Sequence, residues 1–417
     1  MKLINRILLF TLLFSPLISY LLETRFRASN ALWWYFSIIF LVSGTIYILE
    51  TVLTQKSLSF PAYLIPFYFY ILYNLIWAFA NGEMARRGFA MVVFNNTYTK
   101  MLMLILVICN TAFSDRFIKW SLRIMYVTIV LAFIVSIIQV FWPLFLSPDY
   151  AVDKYNLYTI RRASIFGYGN PLEFGYSLLA LLALVLAHFS KKSPGKVVPI
   201  LVMGGITCIL SNTRWIMGSF VILLIMIAIH YRERLLGRIK TILLILIVMI
   251  ILTYALSSLG YDFNEFYQKR LLAEGSLDQT SRFFAYQNFL RFFPQGPWFG
   301  NGEYMSEEVW IASNAFGSSQ IHVGYLAHLV AFGAIGSLFL FGFWFALTLN
   351  LRKTAMKTGY WGSFYAFLVF LWSNVTLVHY TIFFYGLIFA LIFDKHYKDK
   401  NKSDLMFTPL VIKGDAG

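Results

Sequence analysis

The chain reads as all-α, a polytopic helical membrane protein of about twelve transmembrane helices with one large extracytoplasmic loop that carries short helices. Three observations predict this. Hydrophobic residues make up 59% of the 417 positions and charged residues only 13%, whereas a soluble domain carries roughly 25% charged residues. Apolar runs of about 18 or more residues recur along the length, which is what a helix needs to cross a hydrocarbon core. The runs are continuous, where a β-barrel alternates within segments of roughly ten residues.

The runs fall at about 6–22, 32–52, 61–80, 89–113, 122–142, 171–189, 197–210, 214–231, 240–259, 323–350, 361–378 and 380–394, at 1.5 Å per helical residue. Lys2 and Arg6 precede the first, and no small-x-small cleavage site follows it, so it reads as a retained helix rather than a removed signal. The runs at 197–210 and 380–394 are short, and Asn95, Asn96 and Lys100 interrupt 89–113. The membrane domain is therefore 1–395, including a loop at 260–322, and 396–417 is a polar cytoplasmic tail expected to be disordered.

Charge orients the helices. Lys2, Arg6, Lys56, Arg116, Lys119, Arg123, Lys191, Lys192, Lys196, Arg232, Arg234, Arg238, Lys240, Arg352, Lys353, Lys357 and the lysines after Asp394 fall on one side. By the positive-inside rule that side, with both termini, is cytoplasmic. The net charge of +15 thus reflects topology and implies no nucleic-acid partner. Outside remain Arg25, Arg27, Arg86, Arg87, Lys154, Arg161, Arg162, Arg214, Lys269, Arg270, Arg282 and Arg291, nearly all arginine. Arginine is the side chain that binds phosphate oxygens in bidentate fashion. Arg25, Arg27, Arg86 and Arg87 read as interfacial snorkelling.

Two outer loops are long. The first, about 143–170, leads into a helix with Asn170 as N-cap and Pro171 at the first helical position. The second, about 260–322, holds two short helices near 262–273 and 281–293, the latter capped by Ser281. Phe283, Phe284, Leu290 and Phe293 give that helix an apolar face expected to lie on the membrane surface.

Topology sorts the chemistry. His188, His230 and His396 fall on the cytoplasmic side and His328 one to two turns inside its helix, so only His322 and His379 are at the outer face. A neutral imidazole, with pKa about 6.5, can take a proton from an attacking hydroxyl, and His322 follows the arginine-bearing loop. Arg214 sits in the short Ser211-Asn212-Thr213-Arg214 connection, Arg161 and Arg162 precede a glycine-rich helix start, and Arg282 lies on the loop helix. Together they have the chemistry to clamp a diphosphate leaving group. The outer carboxylates show no metal-ligand spacing, and no P-loop or Gly-x-Ser-x-Gly motif is present. No metal or cofactor is expected. Cys109 and Cys208, each inside an apolar run, give no disulfide framework.

Four pieces, in order, resemble the O-antigen ligase and Wzy-type polysaccharide polymerase superfamily of bacterial membranes. Arg162 with Gly167, Asn170-Pro171 and Gly175 is similar to its Arg-x-x-x-x-Gly helix start. Ser211-Asn212-Thr213-Arg214 with Gly218 is similar to its Ser-x-x-Arg-x-x-x-Gly step. Arg282 with Pro297-Trp298-Phe299-Gly300-Asn301-Gly302 resembles the start of its large outer loop and the Pro-x-x-Gly-x-Gly turn. His322, Tyr325, Leu326, Leu329, Gly333 and Gly336 fit its closing helix. Two positions depart from the family pattern: Val323 stands where Asn is frequent, and Ala331 where an acid is frequent. Both departures weaken the ligase assignment more than the polymerase one.

The resemblance implies a metal-independent membrane glycosyltransferase of the bacterial plasma (inner) membrane that transfers an undecaprenyl-diphosphate-linked oligosaccharide to a sugar hydroxyl at the outer face. His322 would be the catalytic base, and Arg161, Arg162, Arg214 and Arg282 would bind the diphosphate. The first reading is a polymerase of O-antigen, capsule or exopolysaccharide repeat units, working in the lipid bilayer with a flippase and a chain-length regulator as partners. The alternatives are a ligase acting on lipid A core or another acceptor, a lipid-linked oligosaccharide transporter or flippase, and a non-catalytic scaffold. The sequence shows no internal repeat and few mid-span charges, which argues against the transporter.

Overall fold

The computed structural model describes residues 44–54, 58–82, 97–142, 171–192, 196–211, 214–231, 281–301, 323–375 and 385–406, with a few isolated positions. Among the described residues all regular structure is helical and there is no strand. The elements are α1 (Gly44–Thr54) and α2 (Ala62–Ala80), α3 (Thr97–Asn110), α4 (Asp115–Phe141), α5 (Pro171–Lys192), α6 (Val197–Leu210), α7 (Arg214–Tyr231), α8 (Ser281–Phe292), α9 (Gly324–Thr358), α10 (Gly362–Ser373) and α11 (Tyr385–Met406). By length and composition α2, α4 and α9 are long and apolar enough to cross a membrane among the described residues. The full count of about twelve spans is not reached by these elements. The expected runs at 6–22 and 240–259 lie outside the described residues, apart from isolated positions in the second.

α5 is the central post. Tyr176 to Ala187 are buried on every face of the helix, as expected for a helix that is apolar all round. It packs on α4, α6, α7, α10 and α11. Small residues permit the close approach: a side chain at Gly204 would collide with Leu182, and one at Gly362 with Ala187. This is the small-residue interface expected where lipid gives helices no hydrophobic reason to associate.

α9 departs from the single crossing expected at 323–350. Gly333 has φ 63° and ψ −172° in its middle, a region of backbone space open essentially to glycine alone. In a straight helix Tyr325 and Trp344 would stand roughly 28 Å apart at 1.5 Å per residue. Their ring centroids are 5.7 Å apart, and those of His328 and Trp344 are 5.6 Å apart. The first limb, 324–332, therefore folds back along the second, 334–358. The sequence pattern could not show this, because both limbs are apolar and a fold-back keeps the helical period.

α10 is a half-helix. Its 12 residues reach roughly 18 Å, short of a hydrocarbon core of about 30 Å. It stops at a turn formed by Asn374 and Val375, before the end of the run expected at 361–378. There it meets the start of α9: Gly324 N–H donates to the Asn374 carbonyl at 2.8 Å and Tyr325 O–H to the Leu371 carbonyl at 2.7 Å. Each helix end thereby satisfies orphan groups of the other.

At the opposite, basic end the tail expected to be disordered from 396 continues α11 as far as Met406. His396 and Tyr397 tie it down. The two His396 ring nitrogens face the Phe113 carbonyl at 2.9 Å and the Asp115 carboxylate at 3.2 Å. The Tyr397 ring stacks 4.2 Å from Tyr360, and its hydroxyl lies 3.1 Å from His188 Nδ1. Apolar Phe393 and buried His396 give this segment the anchorage that composition alone does not reveal.

Candidate functional site

The turn Pro297–Asn301 is inserted into the break of α9. In an unbroken helix Ala334 and Ile335 would donate to the Val330 and Ala331 carbonyls. Instead Ala334 N–H donates to the Pro297 carbonyl at 2.8 Å and Ile335 N–H to the Trp298 carbonyl at 3.1 Å, while the Val330 carbonyl accepts from Asn301 N–H at 2.9 Å. The Tyr73 hydroxyl of α2 lies 3.0 Å from the Phe332 carbonyl and 2.6 Å from that of Phe299. Trp77 stacks on Phe299 at 5.6 Å. Backbone polar groups freed in an apolar setting must be satisfied internally, and here the loop turn and one tyrosine supply the partners.

Glycine is required on both sides of this contact. Gly300 has φ 81°. A side chain on it would run into the Ala331 carbonyl and the Gly333 amide, and one on Gly333 would run into the Trp298 carbonyl and the Gly300 amide. The Pro-x-x-Gly-x-Gly turn and the Gly-x-x-Gly pair are thus two halves of one joint.

α8 runs beside the first limb of α9. Ala285 and Phe292 share a buried cluster with Val323, Ala327 and Val330, and Phe289 and Phe293 pack against it. Asn301 Nδ2 donates to the Phe292 carbonyl at 3.0 Å and reaches the Val330 carbonyl at 3.4 Å, so the last turns of the two helices are tied together. The helices therefore run parallel, and their starts lie at the same end. Ala285, Asn288 and Phe292 are buried, while Tyr286 and Leu290 are exposed. Of the face expected on the membrane surface, Leu290 is exposed, Phe293 packs against the cluster with α9, and the Phe283 and Phe284 side chains lie outside those described.

The start of α7 lies at this level too. Trp215 is 5.6 Å from Trp372, two residues before Asn374, and a side chain at Gly175, one turn into α5, would overlap Ile216. So the N-terminal ends of α5, α7, α8 and the first limb of α9 gather around the end of α10. Helix N-termini present free amides and the positive end of the macrodipole, which favours anions.

Arg214 is the first residue of α7 and Arg282 the second of α8; their backbones are placed, and their side chains are not among those described. His322 stands two residues before α9, and Arg161 and Arg162 precede α5; all three lie outside the described residues. The fold brings the helix starts adjoining these positions into one region.

Below this level, a cavity of about 270 Å3 opens between α7, the first limb of α9 and α10. Leu223, Met226, Tyr325, Leu368, Trp372 and Val375 are among its lining residues. Its wall is mostly apolar, and it takes in Ser219, about one and a half turns along α7 from Arg214. In the turn between the lining residues Trp372 and Val375, Asn374 is fully buried, with Oδ1 accepting no hydrogen bond among the described residues. Among the described residues no group of three or more His, Cys, Asp or Glu is arranged to hold a metal.

His328 belongs to a different environment. It is fully buried, and its ring lies 5.6–6.5 Å from those of Tyr98, Phe332, Phe341 and Trp344. It fills the space between the two limbs of α9. Tyr73, Asn301 and Asn374 were not singled out by the sequence. Asn301 lay inside a recognised turn, but nothing local marks Tyr73, whose partners are more than 200 positions away.

Residues 199–341 match the family model described as O-antigen ligase. The match takes in α6, α7, α8 and the fold-back of α9, and it supports the superfamily read from the motifs. No curated protein matches the chain.

Proposed function

We propose that the protein is a polymerase of surface polysaccharide repeat units, transferring glycan from undecaprenyl diphosphate to a sugar hydroxyl at the outer face of the inner membrane. The coarser activity, membrane glycosyl transfer of the O-antigen ligase and polymerase type, follows from the family match. The observation that carries the finer reading is the gathering of four helix starts above an apolar cavity: α7 begins at Arg214, α8 has Arg282 in its first turn, α9 begins two residues after His322, and α5 begins nine after Arg162. A lipid-linked donor needs both parts: cations and helix N-termini for the diphosphate, and an apolar recess for the chain attached to it.

In this reading the acceptor hydroxyl attacks the anomeric carbon of the donor as His322 takes its proton. The bond from that carbon to the diphosphate oxygen breaks, and its electron pair leaves with the undecaprenyl diphosphate. Arg161 or Arg162, Arg214 and Arg282 neutralise the charge that develops there, which is where electrostatic stabilisation is most effective. A neutral imidazole, with an ordinary pKa of about 6.5, can accept that proton near neutral pH. The ligase remains the second reading, on the family description itself.

Deletion in the native host, followed by gel separation of surface glycan, tests this. Loss of the polymer ladder with the single-unit product retained supports the polymerase. Loss of all glycan linked to lipid A overturns it in favour of the ligase.

A further inference from the structure

Asn301 touches both helices whose starts carry the proposed reacting groups. Its backbone N–H donates to the Val330 carbonyl at 2.9 Å, which fixes the turn in the break. Its side-chain Nδ2 donates to the Phe292 carbonyl at 3.0 Å and reaches Val330 at 3.4 Å. One carboxamide therefore spans the last turn of α8 and the last turn of the first α9 limb. The Val330 carbonyl has lost its helical donor, Ala334, to Pro297, and the Phe292 carbonyl ends α8 and opens the short 3-10 turn that follows.

α8 has 12 residues, so a small rotation at this tie is carried some 18 Å to its start. Arg282 is at that start, and His322 adjoins the start of the neighbouring limb. The cluster of Ala285, Phe292, Val323, Ala327 and Val330 resists separation of the two helices. Being apolar, it resists sliding much less, because hydrophobic contact is non-directional. The backbone bonds of the turn hold Pro297–Asn301 to α9, and the Asn301 carboxamide adds a directional bond from that turn to the end of α8.

We propose that Asn301 is a positioning residue: its carboxamide sets the register of α8 against the first limb of α9, and with it the placement of the α8 start, at Arg282, relative to the start of that limb. The functional half of this inference rests on the proposed glycosyl transfer; the register half does not. Asn301 touches no reacting atom in this scheme.

The test uses the full-length protein in lipid nanodiscs, with spin labels on the exposed Gln287 of α8 and the half-exposed Leu329 of α9. It compares the parent with Asn301→Asp and Asn301→Ala. The Asp substitution keeps the shape and sets a carboxylate against two carbonyls, so the label-to-label distance distribution should broaden or shift. Acidification should restore it, because the protonated carboxyl regains an O–H donor; lost stability alone would give no such recovery. Turnover of a lipid-linked donor should fall about 10²-fold, the scale of a 1 Å misplacement, with KM for the donor nearly unchanged. A narrow, parent-like distribution in both variants overturns the tie. A disturbed distribution with full kcat overturns the role in transfer. A parent without transferase activity overturns the proposed function instead, and the distances still decide whether Asn301 sets the register.

Discussion

Gly300 and Gly333 face each other backbone to backbone, each occupying the space that a side chain on the other would need. Both have positive φ, 81° and 63°. The contact lets a loop turn take over the hydrogen bonds of a broken helix. Gly300→Ala and Gly333→Ala should each destabilise the protein by roughly 3 kcal/mol or more, combining a left-handed backbone penalty with a backbone collision. Thermal unfolding in detergent reads this out. Because each glycine accommodates the other, the double substitution should cost clearly less than the two single costs together. Strict additivity would mean that the two sites are independent and the joint is misread.

The arginine clamp makes a prediction about chemistry rather than charge. Arg214→Lys and Arg282→Lys each preserve a positive charge at a helix start, yet an ammonium cannot reproduce a forked pair of donors. Both should sharply reduce polymer formation in a deletion host, at unchanged membrane levels. Arg25→Lys, in the role of an interfacial residue, should be nearly silent. If all three behave alike, no diphosphate is held there by bidentate contacts.

α11 predicts where truncation becomes harmful. Stopping the chain after Met406 removes none of the described contacts of α11. Stopping after Asp394 removes His396 with its partners Phe113 and Asp115, the stack of Tyr397 on Tyr360, and Lys400, which lies 3.3 Å from Asp115. The exposed Lys400 pair adds little by itself. The loss of buried packing and of a buried hydrogen bond should lower the unfolding temperature measurably in the shorter chain only. Equal stability of the two truncations would show that α11 ends functionally at Asp394.

How much of this was legible in the sequence differs element by element. α7 was expected at 214–231 and is Arg214–Tyr231; the start of α5 at Pro171 was expected from its helix-start chemistry. Such features are local: apolar length, a proline with fixed φ, a glycine after a run. The fold-back of α9 is not local. Gly333 and Gly336 were recognised as a motif, but a glycine pair within an apolar run reads equally as a tight helix contact. What decides is Gly300, 33 positions earlier in the chain, and pairing of that kind carries no periodic signal. The half-helix α10 was missed for the same reason. Its run looks long enough to cross, and only the arrival of Gly324 at Asn374 explains why it stops. The candidate residues themselves were found by chemistry and order; the joint that aligns their helices was found only in three dimensions.

The two histidines of α9 give the sharpest test. Sugar hydroxyls are poor nucleophiles near neutral pH, so a group must accept the proton as the new bond forms, and a general base contributes roughly 10²–10⁴-fold. His322 precedes the limb at the end where the helix starts gather; His328 lies in the aromatic space between the limbs. The two substitutions should therefore fail differently. His322→Ala should leave the protein inserted and as stable as the parent, with polymer synthesis nearly abolished. His328→Ala removes a ring from a fully buried site, and by the cavity cost of a large-to-small change should lose about 2–5 kcal/mol of stability. Its activity per folded molecule should be retained in larger part than that of His322→Ala. His328→Phe, which refills the space with another ring, should recover more stability than His328→Ala. Unfolding temperature, membrane level and polymer yield, measured together on the three variants, separate the roles. Normal polymer from His322→Ala would remove the base from this position, and Glu303 would then be the first carboxylate to substitute.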